Sequence, residues 1–350
     1  MPQDINTKIN IDGQSIHPVT VEVSRGGIVE SQHRGSLAIV DRSGKVQGAW
    51  GDIKQPVYPR SANKALQALA MMESGAAEKF GFSDAEIALA CSSHGGEEMH
   101  TLGAASMLAK AGLSVDDLEC GTHWPTHEDT LLKMAAKSEA PSDLHNNCSG
   151  KHSGMLAAAL MMKAPTKGYI KQTHPLQQRV LGIIETMCGV DLSNAPVGID
   201  GCSIPTFGVP LENLAYGFAR FIAPDDLPDA RADACRHIAK AVFAHPEMVA
   251  GTGRYCTEMM QIMGSRVFLK TGAEGVYIAA LPDYGLGVAL KCDDGASRAA
   301  EMMMTAALHH IGVFEADDMA KIQRFLKVPL KNRAALEIGD IRPADGFLNF

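Results

Sequence analysis

The chain has 350 residues, of which 46% are hydrophobic and 21% are charged. This is the composition of an ordinary globular protein, and it excludes collagen-like and disordered chains. The net charge of -8 argues against a nucleic-acid-binding protein, which needs a basic face. The longest apolar run, Met155–Met162, is too short to span a bilayer.

The N-terminal residues contain no apolar stretch of the kind found in signal peptides. We therefore expect a cytoplasmic protein. A reducing compartment keeps thiols free, so we expect the eight cysteines to form no disulfides. No two of them have C-x-x-C spacing.

The first part of the chain predicts strands. Valines alternate at positions 19, 21 and 23, the run Leu37–Val40 is apolar, and a turn at 41–44 precedes Lys45–Trp50. From about 61 to 260 the pattern is mostly helical, with predicted helices at 61–74, 84–91, 101–111, 152–163, 175–188 and 229–245. Strands return at Val267–Lys270, Val276–Leu281 and Leu286–Cys292, and a helix over 296–311 ends at Gly312.

This order predicts an α+β fold. Two early and three late strands can form one antiparallel sheet, with the helical insertion beside it. Residues 1–60 and 261–350 would then form a sheet-and-helix domain, and residues 61–260 a mostly helical domain of the same functional unit. A doubly wound α/β fold would alternate strands and helices throughout, and this chain does not.

Ser61 and Lys64 form an S-x-x-K motif at the start of a predicted helix. Residues three apart share a helix face, so the hydroxyl and the amine can meet. A neutral lysine can serve as the base for a serine nucleophile, and free N–H groups at a helix start can stabilise an oxyanion. For so short a motif, the ordinary alternative is a serine cap followed by a solvent-facing lysine.

A second motif, Lys270-Thr271-Gly272, ends a predicted strand. K-T-G accompanies S-x-x-K in serine β-lactamases and penicillin-binding proteins, in the same order and with a helical segment between. A second cation facing Lys64 would lower the pKa of that lysine and keep it available as a base. The alternative is a simple turn after a strand.

The small-residue stretch 90–96 follows a predicted helix and contains Ser92 and Ser93. One of these hydroxyls can stand where an S-D-N motif supplies its serine in penicillin-recognising enzymes, although this chain has no S-D-N. The alternative is a helix that simply ends at glycine.

Cys148 and Cys202 lie in polar, glycine-rich turns. Two thiolates with a neutral Lys151 or His152 can hold a zinc ion. Chemistry alone favours His152, because a lysine ligand must first lose its proton. Two buried thiols beside a surface lysine remain the alternative.

Taken together and in this order, five motifs resemble the rhizobial-type (class 3, asparaginase II-like) L-asparaginases. They are Tyr58–Lys64, Cys91–Gly95, Asn147–His152, Asp200–Cys202 and Lys270–Val276. The resemblance runs from about residue 18 to 312. It implies a fold like that of serine β-lactamases and glutaminases, with an antiparallel sheet flanked by helices, and a homodimer.

The resemblance also implies a role for each matching residue. Ser61 corresponds to the nucleophile and Lys64 to its base, while Ser93 and Lys270 correspond to a second Ser–Lys tandem. The implied zinc ligands near the active site are Cys148, Lys151 and Cys202, in place of His152. Arg60 and Asp200 correspond to substrate-binding positions. The choice of Ser93 over Ser92 stays open.

These roles predict an amidohydrolase that converts L-asparagine to L-aspartate and ammonia through an acyl-enzyme. One alternative is a glutaminase or a penicillin-recognising serine hydrolase on the same scaffold. Another is a zinc-binding protein without catalytic activity.

Overall fold

A computed structural model of the protein describes residues 17–348. The N-terminal stretch, on which the expectation of a missing signal peptide depends, lies almost wholly outside the described residues. The ends of the predicted sheet-and-helix domain lie outside them too.

The structure contains twelve strands and thirteen α-helices among the described residues. The strands are β1 (Val19–Arg25), β2 (Ile28–Asp41), β3 (Val46–Trp50), β4 (Pro56–Val57), β5 (Val197–Ile199), β6 (Pro205–Phe207), β7 (Val209–Pro210), β8 (Phe268–Thr271), β9 (Val276–Leu281), β10 (Leu286–Cys292), β11 (Val328–Lys331) and β12 (Glu337–Pro343). The helices are α1 (Lys64–Glu73), α2 (Ala76–Lys79), α3 (Asp84–Ala90), α4 (Glu98–Lys110), α5 (Glu128–Ala136), α6 (Ser149–Met161), α7 (Pro175–Cys188), α8 (Leu211–Ile222), α9 (Asp229–Ala244), α10 (Pro246–Ala250), α11 (Tyr255–Met263), α12 (Ser297–Ile311) and α13 (Ala316–Leu326).

The main sheet has eight strands in the order β11-β12-β1-β2-β10-β9-β8, with β3 paired to β2, and its pairings are antiparallel. The predicted α+β class and the joining of early and late strands in one antiparallel sheet are confirmed. The sheet is larger than predicted, since β3, β11 and β12 also belong to it. The sequence of β12 alternates weakly and contains Gly339, which explains why it was not recognised.

The centre of the sheet is covered on both faces. Gly287 of β10 touches the backbone of Ala215 in α8, and a Cβ there would collide with that helix. Gly35 of β2 pairs with Cys292 and touches Met303 of α12. Positions 287 and 292 are an odd number of residues apart on one strand, so they point to opposite faces. Because α8 and α12 cover these two faces, β9 is buried at every position.

Most predicted helices are present, and α7 has the predicted limits. The helix predicted from residue 61 begins instead with a 3-10 turn over Arg60–Asn63, and α1 follows at Lys64. Sequence reasoning missed α2, α5, α8, α10, α11 and α13. All eight cysteines are free thiols, as expected. Over residues 17–348, no helix is long and apolar enough to cross a membrane. The division into two domains stays a prediction.

Candidate active site

The hydroxyl of Ser93 lies between two buried lysines. Lys64 Nζ is 3.0 Å from Ser93 Oγ, and Lys270 Nζ is 2.9 Å from the same atom. Lys64 also donates to the carbonyl oxygen of Ser92, and Lys270 donates to the carbonyl oxygen of Thr271 at 2.7 Å. We call Lys64, Ser93 and Lys270 the two-lysine cluster. It joins residues that the sequence analysis took from three separate motifs.

Three different elements bring this cluster together. Lys64 is the first residue of α1, and Lys270 lies near the end of β8. Ser93 lies in the loop that follows α3, where its backbone N–H donates to the carbonyl oxygen of Val249 at 2.8 Å. The Ser92 hydroxyl is buried and has no hydrogen-bond partner among the described residues. The geometry therefore places Ser93, rather than Ser92, beside the lysines.

The environment of Lys270 favours its neutral form. Burial and, to a smaller extent, the nearby charge of Lys64 together lower the pKa of this lysine to about 7. Lys270 shares the Ser93 hydroxyl with the amine of Lys64, so a positive charge on Lys270 is repelled at short range. A buried amine that loses its proton near neutral pH is suited to act as a general base.

Ser61 lies in the 3-10 turn just before α1 and is partly exposed. Within residues 17–348 its hydroxyl makes no hydrogen bond, because the amine of Lys64 is directed to Ser93 instead. The preceding residue, Arg60, has a φ of 51°, which is an uncommon conformation for a residue with a side chain. Strain of this kind is often found at functional sites. The Ser61 hydroxyl is thus accessible and has no internal partner.

The glycine of the K-T-G motif has a clear steric role. A Cβ on Gly272 would lie 2.6 Å from the carbonyl oxygen of Pro59 and 3.2 Å from the backbone nitrogen of Ala62. No real Cβ approaches a backbone oxygen so closely, so only glycine allows the end of β8 to pack against the turn that carries Ser61. This contact sets the distance between the two motifs.

The two predicted substrate-binding residues bind each other. Arg60 Nε and Nη2 lie 2.9 and 2.8 Å from Asp200 Oδ1, which also accepts the N–H of Gly201 at 2.7 Å. Burial alone would raise the pKa of the Asp200 carboxyl, but the charges of Lys151 and Arg60 outweigh it and lower that pKa. A partly buried carboxylate and a partly buried guanidinium therefore lie next to the Ser61 turn.

A second cluster lies beside the first. Lys151 Nζ is 2.9 Å from Cys202 Sγ, and the thiol of Cys148, which donates to Asn147 Oδ1 at 3.1 Å, lies beside them. All three residues are buried. We call Cys148, Lys151 and Cys202 the thiol–lysine cluster. It touches the two-lysine cluster directly, since Lys64 Nζ is 3.0 Å from Cys148 Sγ.

The two thiols differ in their protonation. The neighbouring thiol of Cys148 and the charge of Lys151 together lower the pKa of Cys202 to about 5, against the opposing effect of burial. The neighbouring sulfur of Cys202, together with burial, raises the pKa of Cys148 to about 12. Burial disfavours a charged Lys151, but the two sulfur atoms more than compensate and raise its pKa. At neutral pH the cluster therefore holds a thiolate beside an ammonium.

His152, the zinc ligand favoured by chemistry alone, points elsewhere. Its Nδ1 is 2.7 Å from the hydroxyl of Tyr169, and burial lowers its pKa to about 3. Residues 151 and 152 are neighbours on α6, so their side chains leave the helix in different directions. The geometry therefore groups Lys151, as the family resemblance implies, with the two thiols.

The donor atoms of the thiol–lysine cluster fit a zinc ion. Two sulfurs and one nitrogen converge in a buried site, and zinc prefers this combination of soft and intermediate donors. The three residues come from α6 and from the turn between β5 and β6, so one ion would join two distant segments. Three protein ligands would leave a fourth position open, as in catalytic rather than structural zinc sites.

Sequence reasoning assigned no role to His94. Its Nδ1 accepts the N–H of Gly96 at 3.1 Å, so the proton lies on Nε2, which is 2.9 Å from Ser149 Oγ. The backbone N–H of His94 donates to the carbonyl oxygen of Asn147 at 3.2 Å. His94 therefore ties the loop of Ser93 to the segment that carries Cys148. Its position directly after Ser93 was the only signal in the sequence.

The L-asparaginase II family matches residues 21–343, nearly the whole chain. No match is found among curated proteins.

Similar solved structures include the protein Mglu in its native form (13% identity, TM-score 0.44, 87% of this chain and 71% of the other). They also include a β-lactamase from Mycobacterium bovis (14%, TM-score 0.42, 79% and 94%) and the D-alanine carboxypeptidase AmpC from Burkholderia cenocepacia (13%, TM-score 0.37, 77% and 92%). Structural similarity at this level bears on neither substrate nor mechanism. The match along the sequence is decisive: the chain belongs to the L-asparaginase II family.

Proposed function

We propose that the protein hydrolyses the side-chain amide of L-asparagine to L-aspartate and ammonia, with Ser61 as the nucleophile. The observation that supports this most is the arrangement of two buried lysines around Ser93, with the accessible hydroxyl of Ser61 three residues before Lys64. Membership of the L-asparaginase II family supports an amide as substrate.

In the first half of the reaction, Ser61 Oγ attacks the carboxamide carbon while neutral Lys64 takes the hydroxyl proton. The carbon–oxygen bond forms, and the carbonyl oxygen becomes an oxyanion held by backbone N–H groups of the Ser61 turn. The intermediate then collapses: the carbon–nitrogen bond breaks, Lys64 returns the proton to nitrogen, and ammonia leaves. An aspartyl ester on Ser61 remains.

In the second half, water attacks this ester, and a lysine again takes and returns one proton. Ser93 links Lys64 to Lys270 through its hydroxyl, so a proton can pass between the two amines. With a pKa of about 7, Lys270 can take up and release this proton at neutral pH. Aspartate leaves, and Ser61 regains its proton.

Arg60 and Asp200 have the charges needed to bind the α-carboxylate and the α-ammonium group of the substrate. They bind each other. Arg60 directly precedes Ser61 in the sequence, and Asp200 lies two residues before Cys202. We place the amino-acid end of the substrate between them.

Cys148, Lys151 and Cys202 would hold the zinc ion. When bound, zinc supplies a Lewis acid and an open coordination position that can orient the substrate. Lys151 must lose its proton to bind, and the raised pKa of this lysine opposes that loss. The thiolate of Cys202 needs no further deprotonation at neutral pH.

The test is ammonia release from L-asparagine and from L-glutamine, with hydrolysis of a chromogenic β-lactam measured on the same preparation. We expect turnover of L-asparagine to exceed that of the other two. Faster hydrolysis of glutamine or of the β-lactam would replace the proposed substrate. No hydrolysis of any of the three by zinc-loaded protein would favour a binding protein without catalytic activity.

A further inference from the structure

A cavity of about 420 Å³ lies beside the candidate active site but contains none of its residues. Its lining includes Ser36, Asp52, Pro56, Tyr58, Lys291 and Asp293. Cavities of this size commonly hold small molecules. It is close to the active site in two places, because Tyr58 lies three residues before Ser61 and Lys291 Nζ donates to the carbonyl oxygen of Glu274 at 2.6 Å. Glu274 belongs to the turn that follows the K-T-G motif.

Lys291 is a partly buried cation without an anionic partner. Its ammonium group donates to the carbonyl oxygens of Glu274 and Cys292, which leaves one of its three protons unused. No carboxylate oxygen lies within 4.0 Å of it over residues 17–348. The carboxylates of Asp293, Glu274 and Asp294 lie farther away and offset only part of the cost of burying this ammonium. A ligand with a negative charge would remove this cost.

Ser36 adds a second unused donor at the same place. It is directly opposite Lys291 in the pairing of β2 with β10, so both side chains are on one face of the sheet. Ser36 is only 2% exposed, and its hydroxyl has no hydrogen-bond partner among the described residues. An ammonium and a hydroxyl side by side form a suitable pair of donors for a carboxylate.

The lining of the cavity also contains two carboxylates. Asp52 Oδ1 accepts the N–H of Lys54 at 3.0 Å, which leaves its other oxygen available. Asp293 Oδ1 is 2.7 Å from Nδ1 of His17. Pro56 and the ring of Tyr58 give the cavity an apolar wall. A ligand with both a carboxylate and an ammonium group would match these groups better than a simple anion.

We propose that this cavity binds a free α-amino acid, with its carboxylate on Lys291 and Ser36 and its ammonium group on Asp52. The site is distinct from the one that performs hydrolysis, and the proposal does not depend on the proposed function. An amino acid bound here would contact the segments on either side of Ser61 and of the K-T-G motif.

The test is isothermal titration of the full-length protein with L-aspartate and with succinate, which has the two carboxylates but no ammonium group. Lys291→Met is the main variant, and Ser36→Ala is the milder one. Lys54→Met is the matched control, since it removes an exposed charge of the same sign near the cavity. Thermal unfolding of each variant shows that it is folded.

We expect the parent protein to have a class of binding sites for L-aspartate. The Lys291→Met substitution should lower the affinity of these sites at least about tenfold, as expected for the loss of a charged hydrogen bond. Ser36→Ala should lower it less, and Lys54→Met should leave it unchanged. Asp52→Asn should weaken the binding of L-aspartate and leave the binding of succinate unaffected.

The proposal is overturned if the parent protein has no such class of sites, or if folded Lys291→Met and Ser36→Ala variants bind L-aspartate as the parent does. Equal losses for L-aspartate and succinate in Asp52→Asn would overturn the assignment of the ammonium group. None of these readouts involves turnover, so a failed asparaginase assay leaves the test intact.

Discussion

Lys270 and Lys151 are both almost fully buried, yet their pKa values shift in opposite directions. Lys270 shares the Ser93 hydroxyl with a second ammonium, and burial lowers its pKa to about 7. Lys151 faces two sulfur atoms, one of them a thiolate, and its pKa is raised. Burial alone would lower both pKa values. The neighbours therefore decide which lysine becomes a base and which stays charged.

This difference divides the site into two halves with different tasks. The two-lysine cluster can release a proton near neutral pH, as a base must. The thiol–lysine cluster pairs the thiolate of Cys202 with the ammonium of Lys151, and the zinc ion that we propose there would have to displace a proton from Lys151. Lys64 contacts both Ser93 and Cys148, so a change of charge in one half is felt in the other.

The largest loss of activity is expected when one of the two proposed reacting groups, Ser61 or Lys64, is removed. Ser61→Ala and Lys64→Met should each lower kcat by about 10³-fold or more, because nucleophile and base act as a unit. Ser92→Ala is the matched control, since its hydroxyl is buried next to the cluster without a partner, and it should lose far less. Steady-state ammonia release measures all three. Near-normal kcat in folded Ser61→Ala protein would contradict the assignment of the nucleophile.

Lys270→Met should lower kcat by about 10²-fold, the usual contribution of a general base, while raising the melting temperature. From about pH 7 upward to the ordinary pKa of lysine, the unfolded chain holds a proton that the folded protein has lost, so stability rises with pH there. Below pH 7 the folded protein bears the full cost of a buried charge. The gain in melting temperature should thus be larger at pH 6 than at pH 9.

The pH profile of kcat/KM tests the same lysine in the unmodified protein. We expect activity to rise with pH through about 7, as the cluster loses a proton. A profile that is flat from pH 5 to pH 9, as measured by ammonia release, would show that no group with this pKa controls the reaction.

The metal content of the protein tests the role proposed for the thiol–lysine cluster. We expect about one zinc per chain in protein purified without chelator, since the thiol–lysine cluster forms one site. Cys202→Ser should abolish it, and the matched variant Cys235→Ser, a buried thiol in α9, should keep it. Zinc removal should raise KM more than it lowers the melting temperature, and zinc affinity should increase with pH as Lys151 deprotonates. Equal zinc in both variants would exclude Cys202 from the site.

The smallest expected effect concerns His94, which links the two halves. His94→Gln can still donate to Ser149, whereas His94→Asn is too short to do so. We expect a loss in kcat of about tenfold for His94→Asn, in line with one lost hydrogen bond, and partial rescue by His94→Gln. If both variants lose kcat equally while their melting temperatures match the parent, the bond to Ser149 does not position the site.

Local patterns in the sequence were sufficient to predict much of the fold. The alternating valines of β1 and the apolar runs of β9 and β10 predicted the sheet, and α7 had clear signals at both ends. The last strand, β12, depends on pairing with β1 rather than on its own pattern, and sequence alone therefore missed it. The sequence analysis also missed α13, although Glu315 and Asp318 form a capping box at its start.

The site was accessible to sequence reasoning only in part. Motif spacing drew attention to Ser61, Lys64 and Lys270, but it suggested contact between Ser61 and Lys64. The structure instead turns Lys64 toward Ser93, a contact that depends on how α1 packs beside the loop after α3. Chemistry favoured His152 over Lys151, because nothing in the local sequence shows which side of α6 faces Cys202.

The central claim is that Ser61, rather than Ser93, carries the acyl group during hydrolysis of L-asparagine. Acid-quenching the enzyme during turnover and mapping its peptides by mass spectrometry tests this directly, since trypsin separates the two serines at Lys64 and Lys79. We predict an aspartyl ester on the peptide that contains Ser61, and none in Ser61→Ala protein. The same adduct on the peptide that contains Ser93 would contradict the account.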